Sequence, residues 1–187
     1  MLTGMLESEQ APQAQISLIN VVQFVIAIAA FCIAATTSHS SEVIRGRVIR
    51  VAAGDTITVQ SGERRVIVRL RSIDAPERTM PYSHVSRRHL HELVMNKVVT
   101  FNPEKLDRHG RTIAVVRLQD GTDVCLAQIQ AGFAWHFKRY ELEQPPEKRA
   151  AGAEAIAKAA RRGLWRDDAP VPPWEFRATH KREEVAP

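Results

Sequence analysis

The chain is poor in cysteine, poor in aromatic residues and, over its first fifteen positions, without any positive side chain. Of 187 residues only Cys32 and Cys125 are cysteines. If the segment carrying Cys32 is removed, one thiol remains and no internal disulfide can staple the rest. Nothing around Cys125 resembles a base, so the expectation there is a small packing residue rather than a nucleophile. Lipid attachment at Cys32 is disfavoured by the bulky Phe31 before it. The seven histidines contain no i,i+4 pair, and His89 and His91 would point about 200° apart on a helix, which speaks against zinc. No internal repeat is present.

Ile16 to Ala35 is an apolar run broken only by Ser17, Asn20 and Gln23, and Thr36 to Ser41 is polar. This length suits a signal-peptide core or a short spanning helix, so residues 1–41 are expected to be a signal peptide or membrane anchor plus a polar linker. Ala34 and Ala35 resemble a cleavage region. The charges run the other way. Glu7 and Glu9 precede the run while Arg45, Arg47 and Arg50 follow it, the reverse of the usual flanking asymmetry. The expectation is therefore a secreted or periplasmic protein, or one anchored through residues 16–35 as a single N-terminal helix.

The net charge is +5, and its excess is concentrated. Between Arg45 and Arg71 lie seven arginines against only Asp55 and Glu63, which points to a polyanionic partner. Alternating patterns predict strands at Val43–Val51, Thr56–Gln60 and Arg65–Leu70, with Val66, Val68 and Leu70 on one face. Helical spacing of Tyr82, Val85, Leu90, Leu93 and Val94 follows, ending near Asn96. Val98–Phe101 and Arg111–Leu118 read as two further strands around a polar loop. A second helix carries Leu126, Ile129 and Phe133. A third follows Pro145-Pro146, with Ala153, Ile156, Ala160 and Leu164 as its inward stripe. From Ala169 to Pro187 the prolines argue against regular structure, with Trp174 and Phe176 available to pin the tail to the domain. Five strands with three helices describe an α+β domain over residues 42–168, and a small Greek-key barrel of the OB type, preceded by the hydrophobic helix, fits the count.

The most pointed stretch is Arg69-Leu70-Arg71-Ser72-Ile73-Asp74-Ala75-Pro76-Glu77. Pro76 stiffens the corner on which the Asp74 and Glu77 carboxylates leave the strand. A hairpin turn near Gly62 would set Asp55 opposite Arg69, so that acid and arginine converge.

Gly54-Asp55-Thr56, Val68 to Glu77 and Asp107-Arg108-His109-Gly110-Arg111-Thr112 together resemble the staphylococcal nuclease (thermonuclease) family. Gly132-Phe133-Ala134-Trp135 and Gly163-Leu164-Trp165 resemble it too. The resemblance runs from about Val43 to Trp165. It implies a calcium-dependent nuclease acting on DNA and RNA with little sequence preference and leaving 3′-phosphate ends. Asp55 and Asp74 match the family's Ca²⁺ carboxylates, with the Ala75 carbonyl completing the protein ligands. Glu77 matches the residue assigned as general base, and Arg69 and Arg111 match the arginines that grip phosphate. Arg108, His109 and Tyr140 align with nucleotide contacts. Ala53 stands where the family usually has an acid that supports the ion through water, which implies weaker metal affinity. A monomer is expected. The alternative reading is a non-catalytic nucleic-acid-binding OB-fold module, as in relatives that have lost active-site residues. A protein-interaction module around Trp174 is a third.

Overall fold

The computed structural model describes residues 42–137 and 146–185. The expected anchor at residues 16–35, its linker and Tyr140 lie outside the described residues. Among the described residues no helix is long and apolar enough to cross a membrane.

Strand β1 (Ile44–Ala53) alternates as its sequence demands, burying Val48 and Val51 and turning Arg45, Arg47 and Arg50 outward. It pairs antiparallel with β2 (Thr56–Ser61), which turns back into β3 (Arg64–Leu70). The turn is two residues, Gly62-Glu63, with Gly62 at a φ of 57° that suits glycine. This sets Thr56, not Asp55, opposite Arg69. The expected register is off by one residue, because the turn is centred after Gly62 rather than on it.

The chain continues through β4 (Ile73–Asp74), helix α1 (Ser83–Val94), β5 (Val98–Phe101), β6 (Lys105–Leu106), β7 (Thr112–Ala114) and β8 (Val116–Leu118). Helix α2 (Val124–Gln130), β9 (Trp135–His136), helix α3 (Pro146–Ala159), a 3₁₀ turn at Gly163–Arg166 and helix α4 (Pro173–Val185) complete it. The main sheet has the order β6-β7-β3-β2-β1-β5-β8, and β4 pairs separately with β9. Val115 alone separates β7, which lies parallel to β3, from β8, which lies antiparallel to β5. One run thus borders both sides of the sheet and curls it back on itself.

The architecture is α+β, but the five expected strands are seven in the main sheet. Arg111–Leu118 breaks in two at Val115, and the loop after Phe101 contributes Lys105–Leu106. The tail after Ala169 is corrected as well. Pro172 and Pro173 do not prevent structure, because proline is favoured where a helix begins and its missing N–H is one that needs no intrahelical partner. Pro173 opens α4, the fourth helix.

Val48, Ile57, Val59, Val68, Leu70, Leu90, Val94, Val99 and Ile129 fill the core. Helix α2 starts on Asp123, whose carboxylate accepts the Cys125 and Leu126 backbone N–H groups at 3.0 and 3.2 Å. Helix α3 faces inward along Ala150, Ala153 and Ala157, while Ile156 is exposed, so the expected stripe is rotated. The three alanines keep a 3-4 spacing that lets the helix sit close. Cys125 is buried and unoxidised, its thiol pushed up to about 12 by burial, which fits a packing role.

Candidate active site

The turn between β1 and β2 joins the scaffold to the acid-and-arginine cluster. A Cβ on Gly54 would lie 1.8 Å from Ser86 Oγ and 2.9 Å from Ala75 Cβ, so only glycine fits between α1 and the Asp74 corner. Gln128, fully buried on α2, donates through Nε2 to the Gly54 carbonyl at 2.6 Å and to the Ser86 carbonyl at 3.3 Å. Its Oε1 meets His89 Nδ1. Asp55 is thereby delivered from a fixed turn.

Asp55 holds four groups. Its Oδ1 accepts from the Thr56 hydroxyl at 2.8 Å, and its Oδ2 accepts from the Ala75 backbone N–H at 3.0 Å and pairs with Arg69 Nη1 at 2.9 Å; its carbonyl accepts the Leu70 N–H at 2.8 Å. Arg69 pairs through Nη2 with Asp74 Oδ1 at 2.8 Å and donates through Nη1 to the Ile73 carbonyl at 2.9 Å. The convergence expected of acid and arginine therefore occurs, through the side chains although not through the register. Asp74 is almost wholly buried, at 2% exposure, and Arg69 is 15% exposed. Ser72 reaches the corner with a φ of 58°, a left-handed conformation uncommon for a residue with a side chain.

Glu77 stands at the rim with its side chain 40% exposed. Among the described residues no hydrogen bond or ion pair joins it to Asp55 or Arg69. Arg177 of α4 links it to the cluster: Nη1 lies 2.6 Å from Glu77 Oε1 and 3.4 Å from Asp74 Oδ1, and Nη2 lies 2.7 Å from Asp74 Oδ2. Burial raises the pKa of Asp74, against the Arg177 bond and the charges of Arg69 and Arg177. Burial pulls that of Arg177 down, but bonds to Asp74 and Glu77 outweigh it and raise the value. These directions pull oppositely on one pair. Two guanidinium groups within 2.8 Å of Asp74 decide it in favour of an ion pair.

Arg111 is held by Asp107, with Nε to Oδ2 at 2.6 Å and its backbone N–H to Oδ1 at 2.9 Å. Burial opposes these bonds, yet the carboxyl of Asp107 lies below its ordinary value. Arg111 Nη1 reaches Thr56 Oγ1 at 3.4 Å, the hydroxyl already bonded to Asp55. Arg108 and His109 sit on the exposed loop beside it and are bonded to each other, Nε to Nε2 at 3.0 Å. The His109 backbone N–H donates to Asp107 Oδ1 at 2.8 Å, and among the described residues no bond joins Arg108 or His109 to Asp55, Asp74 or Glu77.

Family-model comparison decides the kinship: residues 67–167 match the model described as "Staphylococcal nuclease homologue". The chain belongs to that family. An "Uncharacterized endonuclease" of Escherichia coli O157:H7 is 40% identical over 72% of this chain and 85% of that protein. A "Micrococcal nuclease" of Shigella flexneri is 32% identical over 73% of this chain and 82% of its own length. "Protein ParB" of Escherichia coli is 32% identical over 84% of this chain and 94% of that protein.

For a member of the staphylococcal nuclease homologue family, the side chain that sequence reading missed is Arg177. It lies in a tail set aside as irregular. The signal was present: Trp174 and Arg177 are three apart after a proline pair, which places an apolar anchor and a cation on one helical face.

Proposed function

We propose that the protein is a calcium-dependent nuclease that hydrolyses DNA and RNA phosphodiesters with low sequence preference and leaves 3′-phosphate ends. The observation that carries this reading is the meeting of Asp55, Asp74 and Glu77 with guanidinium groups at one corner, with Arg111 reaching the same turn. Kinship with proteins named endonuclease and micrococcal nuclease supports the nuclease part.

The donor set suits a hard cation. Its side-chain atoms are all carboxylate oxygens, and the Arg177 guanidinium is a stand-in cation already seated against Asp74 and Glu77. Among the described residues no three acidic, histidine or cysteine side chains form a ready cage, so Asp55, Asp74 and the Ala75 carbonyl would hold the ion with water completing its shell. Calcium bound there would neutralise phosphate oxygens.

The remaining work falls to the chain. Arg69 and Arg111 present planar forks that bind phosphate oxygens in pairs and oppose the charge that grows as water attacks. Asp107 aims Arg111. Glu77, half-exposed at the rim, takes the proton from the attacking water, the bond from phosphorus to the 5′ oxygen breaks, and that oxygen takes up a proton from solvent to leave as the 5′ hydroxyl. Arg108, His109 and Tyr140 are assigned to contacts with the nucleotide, Tyr140 as a stacking surface. The run at residues 16–35 is assigned to export or to anchoring.

The test is the full chain incubated with single-stranded DNA, with calcium and then with a chelator, and with end analysis of the products. Calcium-dependent fragments with 3′-phosphates are expected. DNA that is bound but intact under both conditions would instead mean a non-catalytic nucleic-acid-binding OB-fold module.

A further inference from the structure

Helix α4 places a permanent cation where a catalytic one is needed. Arg177 engages both oxygens of Asp74 and Oε1 of Glu77 at 2.6–3.4 Å, so in this arrangement it occupies the side of both carboxylates that a metal ion between them would need. Three carboxylates, Asp55, Asp74 and Glu77, face two guanidinium groups, Arg69 and Arg177, leaving one uncompensated negative charge. A divalent ion in place of Arg177 brings the cluster to neutrality.

Beyond Arg177, the described contacts of the helix with the domain come from its first turn. Pro173 is buried, and Trp174 packs against the cluster of Trp135, Leu164 and Trp165, with its ring 5.5 Å from that of Phe137. Trp174 and Arg177 lie one turn apart on the same face, and the Arg177 side chain is still 40% exposed. An element docked by Pro173, Trp174 and the two ion pairs of Arg177 at its described contacts belongs to the low-stability end of a fold.

We propose that α4 is an autoinhibitory cap: Arg177 and the divalent cation compete for Asp74 and Glu77, and binding of the ion releases the helix. This rests on the calcium reading above. A helix docked nine-tenths of the time would weaken the apparent calcium affinity about tenfold.

The experiment is calcium binding by calorimetry to the full chain in detergent, wild type against Arg177→Ala and Trp174→Ala, with hydrogen exchange followed over residues 173–180. Both variants are expected to bind calcium about tenfold more tightly than wild type and to reach half-maximal cleavage at lower calcium. In the wild type, saturating calcium should raise exchange in that segment. Equal affinity in all three proteins with unchanged exchange overturns the cap and leaves the metal site standing. Tighter binding in neither variant, with lower maximal cleavage in Arg177→Ala alone, would make Arg177 a third grip on phosphate and also overturns it. No calcium binding by any of the three proteins overturns the metal site and the cap together.

Discussion

Two polar regions share the Gly54-Asp55-Thr56 turn, and they are built differently. On one side, Gln128, Ser86, His89 and the Gly54 and Phe133 carbonyls form a neutral network, with Ser86 Oγ donating to Phe133 at 2.7 Å. On the other, Asp55, Asp74 and Glu77 are satisfied by arginines. Each neutral partner is a neighbour in the scaffold, and losing one leaves a buried group unpaired. A guanidinium at a carboxylate can in principle be replaced by another cation, whereas a lost neutral partner cannot. The first region fixes position and the second concentrates charge.

The comparison breaks most sharply at Glu77. Glu77→Gln should lower turnover by about 10²–10⁴-fold, the usual contribution of a positioned base, while DNA affinity measured by anisotropy stays nearly unchanged. Equal loss of both would make Glu77 structural.

Gln128→Ala tests the neutral side. It leaves the Gly54 and Ser86 carbonyls without their donor and opens a cavity, so denaturant unfolding should show a loss of about 2–4 kcal/mol. Activity per folded molecule should change far less than in Glu77→Gln.

Asp107 sharpens the charged side through pH. Its folded-state value is lowered, so its contribution is present above the ordinary 3.8 and is lost only as pH falls through the lower folded value. A carboxyl-carbon NMR titration should therefore find Asp107 ionised, and Arg111 still aimed, at pH 4. A midpoint above 4 would contradict this.

The smallest effect concerns backbone strain beside the charged cluster. Ser72→Gly relieves a left-handed conformation at the entry to Ile73-Asp74 and should raise stability by up to about 1 kcal/mol in thermal unfolding.

The acid-and-arginine corner was legible because its signals are local. Alternation in Val66, Val68 and Leu70, the stiff Asp74-Ala75-Pro76-Glu77 exit and the acid after Gly54 each depend on a few neighbouring residues. Convergence of Asp55 with Arg69 survived a wrong register, since a long arginine spans the offset of one residue. What depended on distant contacts was not legible. The break at Val115 follows from one run bordering two different strands. The orientation of α3 follows from which alanines meet the core, and Ile156 looked like the better anchor by hydropathy. Arg177 was hidden for the same reason: its partners lie 100 and 103 residues earlier in the chain. Local proline chemistry, read as breaking structure, masked a helix start.

The central claim is that cation and phosphodiester meet at the Asp55–Asp74–Glu77 corner. A crystal structure of Glu77→Gln with calcium and a short single-stranded DNA tests it most directly. The account predicts the ion against Asp55 and Asp74, with a backbone phosphate within reach of Arg69 and Arg111. An ion and a DNA strand bound elsewhere, such as on the outward arginines of β1, with the corner left as it is, would contradict it.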